Sequence, residues 1–100
     1  MGPEPGLTLD ACGWLHGHEI AAFACDNWAV ELYPSGDPDA RMPVHYVLIR
    51  DMGMTLGEMF DLEELAADCE SDGVWECFVT APVLKFADAV GCPLNPLAIK

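Results

Sequence analysis

The chain has 100 residues, with 17 acidic against 4 basic side chains and a formal charge of −13. This length is that of one modest domain or of a piece of a larger one. The acidic balance argues against nucleic acid as a partner, because phosphates favour clustered Lys and Arg. It argues equally against a role at a membrane surface, which proteins bind through polybasic segments. With 52% apolar residues the chain has enough material for a core, and no apolar run approaches the roughly 20 residues of a membrane span.

In the first half of the chain, the pattern predicts a helix over 9–17 with Thr8 as its N-cap, and a short buried strand over 20–25. The segment 33–42 contains prolines and a glycine, which predicts an exposed loop. Pro43 is suited to the first turn of a second helix over 43–52. That helix is apolar on most sides, so we expect it to be buried.

In the second half, residues 54–60 are predicted to be extended, and Asp61 is predicted to cap a helix over 62–72 that ends at Gly73. Strands are expected over 74–80 and 97–99. This alternation of helices and strands predicts an α/β fold, with helices packed on a mixed sheet. We expect residues 1–100 to form a single partial domain.

Five cysteines are present, Cys12, Cys25, Cys69, Cys77 and Cys92, and no two form a C-x-x-C pair. Their odd number and spacing predict small buried thiols in a reducing cytoplasm rather than a zinc ribbon or a redox site. The amino-terminal residues have no basic or apolar signal region, so we expect a cytoplasmic protein.

Glu58 and His45 are the candidate functional side chains. If 54–60 is extended, Glu58 shares a face with Leu56 and Phe60, and a carboxylate between apolar side chains must be paired, neutralised or bound to metal. The alternative is a surface Glu58, or one paired with Arg41 or Arg50.

His45 lies 13 positions before Glu58, so a helix and a turn could bring the two together as ligands of a divalent metal. A histidine with its hydrogen bonds satisfied in the core is the alternative. His16 and His18 are interpreted as surface histidines, because on a helix end they do not converge. No motif predicts a nucleophile or a nucleotide cofactor, so no catalytic or cofactor-binding residue is assigned.

The segment from Pro43 to Leu62, with its His45 and Glu58, resembles the second metal-ligand segment of a cyclase family that includes the bacterial kynurenine formamidases. The similarity extends through further short segments, at 5–10, 20–22, 26–31, 65–69, 72–76, 81–82 and 91–100. The family's amino-terminal H-x-G-T-H-x-D segment, which supplies most metal ligands and the acid/base histidine, has no counterpart here. Cys92 stands where a Ser is usual, and Asp88 where the family has Gly.

The resemblance implies the C-terminal part of a cyclase-like α/β fold and metal-dependent hydrolysis of amide or cyclic amide-like bonds, as when N-formylkynurenine gives kynurenine and formate. It also implies that His45 and Glu58 are ligands of zinc or manganese. The partners it implies are a small amide substrate and either a second copy of the chain or the missing amino-terminal part. The alternative function is a catalytically inactive remnant that acts as a binding or assembly module.

Overall fold

The computed structural model describes residues 2–100, which form two compact units, one reaching Asp61 and the other spanning Leu62–Lys100. The first unit contains helix α1, strand β1, a second helical segment that begins with α2, and strand β2. The second contains helix α3 and strands β3 and β4.

Helix α1 spans Leu9–Gly17, the predicted bounds. Thr8 is its N-cap residue with extended backbone, but the Thr8 hydroxyl bonds no helix N–H and lies 3.5 Å from the Asp10 carboxylate. Cys12 and Leu15 are buried on the inner face of the helix. The predicted helix is therefore confirmed, without the predicted side-chain cap.

The second helical segment starts as α2, Pro43–His45, and continues as a π-helix over Tyr46–Asp51. The Met52 amide reaches back five residues to the Val47 carbonyl, at 3.0 Å. Val44 and Leu48 are buried, whereas Ile49 is 52% exposed. The helix is confirmed, but the expected burial on most sides is wrong, because the core covers only one of its faces.

Strands β1, Ala22–Ala24, and β2, Thr55–Gly57, are parallel, with Phe23 opposite Leu56. Both strands are shorter than predicted. Phe23 and Leu56 pack, half-buried, against the core of this unit, whose buried members are Cys12, Leu15, Val44, Leu48 and Met54. This core places the start of α2 close to the end of β2.

In the second unit, α3 spans Glu63–Asp72 with Leu62 as its N-cap residue, one position after the predicted Asp61. Gly73 ends the helix as predicted. It adopts the left-handed conformation with φ of 70°, and its amide bonds the Cys69 carbonyl at 2.9 Å.

Strands β3, Phe78–Thr80, and β4, Leu97–Ile99, are antiparallel, with Phe78 opposite Ile99. Of the strand predicted over 74–80, only the last three residues form a strand in the structure. Within residues 2–100 the parallel and antiparallel pairs belong to two separate two-stranded sheets rather than one. None of the helices within residues 2–100 has the length and hydropathy of a membrane-spanning segment.

Candidate metal site

Glu58 lies in a bulge directly after β2. The Cys25 amide bonds the Gly57 carbonyl at 3.1 Å, and the Cys25 carbonyl accepts the Phe60 amide at 3.0 Å. Glu58 and Met59 therefore lie in a bulge between the two backbone hydrogen bonds to Cys25, and Met59 has a positive φ of 57°. The predicted extension over 54–60, with Glu58 in strand alternation, is wrong because this bulge ends the strand at Gly57.

The bulge directs the Glu58 carboxylate towards two groups of the first unit. Its Oε1 accepts the Val30 amide at 2.9 Å and lies 3.0 Å from Nε2 of His45. Neither candidate arginine is its partner, since Arg50 pairs with Asp51 and Arg41 bonds the Tyr33 hydroxyl. The side chain is 29% exposed, so it is not a free surface carboxylate.

His45 ends α2 and lies between two carboxylates. Its Nε2 faces Glu58, and its Nδ1 lies 2.5 Å from Oε1 of Glu31. The side chain is 19% exposed. The expected convergence of His45 and Glu58 is therefore present, while their role as metal ligands stays a prediction.

Glu31 is fully buried and is the third member of this cluster. Its Oε1 also accepts the His45 amide at 2.9 Å, and its Oε2 accepts the Val44 amide at 3.2 Å. A buried carboxylate is costly unless such donors replace water. Two backbone N–H groups, together with the ring nitrogen of His45, supply that replacement.

Sequence reasoning missed Glu31 as a site residue. The available signal was a single carboxylate within the otherwise apolar segment 28–32, where Ala29 and Val30 are buried. The argument applied to Glu58, that a carboxylate among apolar side chains requires a partner, applies more strongly to Glu31.

The donor set fits a divalent cation. When Glu31 is ionised it only accepts, so the proton of the neutral His45 ring belongs on Nδ1 and the Nε2 lone pair faces Glu58. A lone pair and a carboxylate oxygen repel each other, so this contact requires either a proton or a cation shared by the two atoms. Imidazole nitrogen and carboxylate oxygen both suit zinc and manganese, so His45 and Glu58, 3.0 Å apart, are the residues that would hold such an ion.

The cluster offers two candidate ligands, His45 and Glu58, for such an ion. Across residues 2–100 no group of three or more His, Cys, Asp or Glu side chains is placed to hold a metal. His16 and His18 are exposed as predicted, and the His18 ring stacks on Trp14 at a centroid distance of 4.0 Å.

The two cysteines that interact with these carboxylates are weak candidates for ligands or nucleophiles. Desolvation by burial raises the pKa of the Cys25 thiol, with a smaller contribution from the Glu58 charge. Burial likewise raises the pKa of Cys12, aided by Glu31. Thiolate is the reactive form, so both groups stay protonated at neutral pH. All five cysteines are free thiols.

The chain is similar to a solved structure described as a novel cyclase. The two are 44% identical with a TM-score of 0.88, over 98% of this chain and 31% of that chain. No family model matches this sequence. No curated protein matches it either. The similarity confirms the α/β fold class and the cyclase resemblance, and the chain spans only 31% of the length of that cyclase.

Proposed function

We propose that this chain, a relative of the cyclase family, supplies part of the active site of a metal-dependent hydrolase of amide or cyclic amide-like bonds, of the arylformamidase type. The observation that carries the proposal is the approach of His45 Nε2 to Glu58 Oε1 at 3.0 Å. Two residues 13 positions apart present an imidazole and a carboxylate to one point, which is the donor pair that zinc or manganese takes.

His45 and Glu58 would hold the metal, and the bound metal would supply an activated water and polarise the substrate carbonyl. Glu58 contributes the negative charge of the site. Its orientation is fixed by the Val30 amide at 2.9 Å, which leaves less side-chain freedom to be lost on binding. The substrate class is a small molecule with an amide bond.

The site requires protein beyond this chain. Catalytic zinc is usually held by three protein ligands, whereas residues 2–100 bring only two together. The chain spans 31% of the cyclase that it resembles. We therefore propose that the remaining ligands and the proton donor come from another polypeptide segment, and that this chain alone binds metal weakly and turns over little substrate.

Metal titration of the full chain tests the site. We expect zinc and manganese to raise the unfolding temperature of the chain. His45→Ala and Glu58→Gln should each abolish that shift, because either change leaves a single ligand. His16→Ala is the matched control, since it removes an exposed histidine outside the cluster, and it should retain the shift. Equal shifts in all four proteins would exclude His45 and Glu58 as ligands.

A complementation assay tests the reaction. The chain is mixed with the segment of the similar cyclase that it does not match, and hydrolysis of N-formylkynurenine and of an aryl formamide is followed with added zinc or manganese. Turnover by the mixture that is lost with His45→Ala supports the hydrolase. Clear turnover by the pure 100-residue chain would contradict the need for a second segment.

The second candidate is an inactive binding or assembly module, and the surface of the second unit favours it. Apolar side chains are exposed along both strands of its sheet, including Phe78 at 67%, Val79 at 56%, Leu97 at 55% and Ile99 at 52%. Such surface is typical of an interface. A stable complex with a second copy or with the cyclase segment, without turnover of either formamide, would favour this module over the hydrolase.

The five free thiols also support a reducing compartment, and we propose the cytoplasm as the location. A chain expressed in the cytoplasm should retain five titratable thiols after denaturation. Disulfides formed during expression would argue against this location.

A further inference from the structure

We infer that Glu31 is a positioning residue that holds the neutral His45 ring with its proton on Nδ1, so that the Nε2 lone pair is presented to the cation. This inference rests on the proposed function for the identity of the cation. Its structural part, the assignment of the proton to Nδ1, stands on the geometry of the metal-free chain.

The hydrogen bonds around Glu31 define the direction of the contact to the ring. Val44 and His45 each offer the carboxylate a backbone N–H, so both oxygens act as acceptors. An ionised carboxylate has no proton to donate, so its 2.5 Å contact with Nδ1 is a hydrogen bond only when Nδ1 carries the proton. Glu58 is the weaker competitor for the ring proton, because it lies 3.0 Å from Nε2 and is partly exposed.

The backbone on either side of Glu31 is also fixed. The Val30 carbonyl accepts the Leu7 amide at 2.9 Å, and the Leu32 amide donates to the Leu7 carbonyl at 2.9 Å. With its backbone paired and its side chain fully buried, the carboxylate has few alternative positions. Glu31 therefore orients the ring instead of following it.

Glu31 cannot itself take the place of the missing third ligand. It occupies Nδ1, whereas Glu58 and the proposed cation position lie at Nε2, on the opposite side of the ring. A carboxylate on the far nitrogen of a ligating histidine fixes the ring and increases its basicity, and removal of such a partner typically lowers metal affinity about 10–100-fold.

The first test needs no variant. The ¹⁵N shifts of His45 in the metal-free full chain, recorded at a pH where the ring is neutral, report which nitrogen carries the proton. We expect the proton on Nδ1. A proton on Nε2 would overturn the inference whether or not the chain binds metal. A proton on Nδ1 in a chain that binds no metal would refute the proposed metal site and leave the positioning role in place.

The second test is Glu31→Gln, which keeps the size of the side chain but replaces one acceptor oxygen with a donor NH₂. The side-chain oxygen of the glutamine would still accept a backbone N–H, so its NH₂ group would donate to Nδ1. The ring proton would then move to Nε2. We expect that shift in the ¹⁵N spectrum and a zinc affinity about 10–100-fold lower. Glu19→Gln, which removes an exposed carboxylate of the same unit, should change neither. A folded Glu31→Gln chain with an unchanged tautomer would overturn the inference, and if this variant does not fold, the wild-type spectrum decides.

Discussion

Gly6 lies directly against the backbone of Glu31. A Cβ added at Gly6 would be 2.3 Å from the Glu31 carbonyl carbon and 2.5 Å from its oxygen. These are backbone atoms in a paired segment, so no side-chain rotation relieves the contact. The amino-terminal segment thus supports the residue that holds His45.

Gly6→Ala is therefore expected to be destabilising. Overpacking against a fixed backbone costs about 1–3 kcal/mol of unfolding free energy, measurable by chemical denaturation. The change should also weaken zinc binding, because it displaces Glu31. Gly13→Ala is the matched control in α1, where a Cβ meets nothing within 4 Å, and it should stabilise the chain by about 0.5–1 kcal/mol. Equal effects of the two variants would mean that the Gly6 contact is absent in solution.

Leu48 and Ile49 are adjacent in the π-helix and differ in burial, at 0% and 52% exposed. Leu48→Ala should lower the unfolding free energy by about 2–5 kcal/mol, because it leaves a cavity in the core. Ile49→Ala should change it by less than about 0.5 kcal/mol. Thermal or chemical unfolding of the two variants tests this difference in burial. If the helix were buried on all sides, both substitutions would lower the unfolding free energy substantially.

Sequence patterns located the helices well because their signals are local. Helix α1 and the end of α3 at Gly73 follow from apolar spacing and a C-terminal glycine, which do not depend on distant residues. The strands were predicted too long, because strand ends depend on partners. The strand at 54–60 stops at Gly57 only because Cys25 bonds the backbone on both sides of the bulge.

Two of the three residues of the candidate site could be predicted from the sequence. His45 and Glu58 are chemically conspicuous side chains, and the cyclase resemblance placed both in one motif. Glu31 becomes a site residue only when the chain brings it to Nδ1 of His45, 14 positions away. The sequence signal for its burial was present, but its partner could not be read from spacing alone.

Met59 has an exposed side chain and a left-handed backbone with φ of 57°. That conformation costs an L-residue about 1–2 kcal/mol of folding free energy. Glycine avoids this cost, but its greater conformational freedom in the unfolded chain offsets part of the gain. Met59→Gly should therefore raise the unfolding free energy by about 0.5–1 kcal/mol. Met59→Ala keeps the strain and should be within about 0.5 kcal/mol of the parent chain. Stabilisation by alanine as large as that by glycine would show that side-chain exposure, and not backbone strain, is relieved.

Lys100 joins the end of β4 to the end of α3. Its Nζ lies 2.8 Å from Asp68 Oδ2 and 2.9 Å from both Asp72 Oδ1 and the Val74 carbonyl. The hydrogen bond from Lys100, followed by that from the Val74 amide, lowers the pKa of Asp72 below its ordinary value. The hydrogen bond to Asp68, with a smaller contribution from the bond to Asp72, raises the pKa of Lys100, so Lys100 and Asp72 stay charged through the neutral range.

These shifts predict an acid-sensitive tether in the second unit. Because the pKa of Asp72 is lower in the folded than in the unfolded chain, its stabilising contribution is complete above about pH 4 and is lost as the pH falls through the folded pKa. The amides of α3 should therefore lose protection against hydrogen exchange on acidification. Lys100→Met should already lower that protection at neutral pH, so most of its pH dependence should be absent in this variant. Lys85→Met, which removes an exposed lysine of the same unit, should keep the parent profile. If Lys100→Met and the parent chain lost protection in parallel, the acid sensitivity of α3 would have to come from other carboxylates.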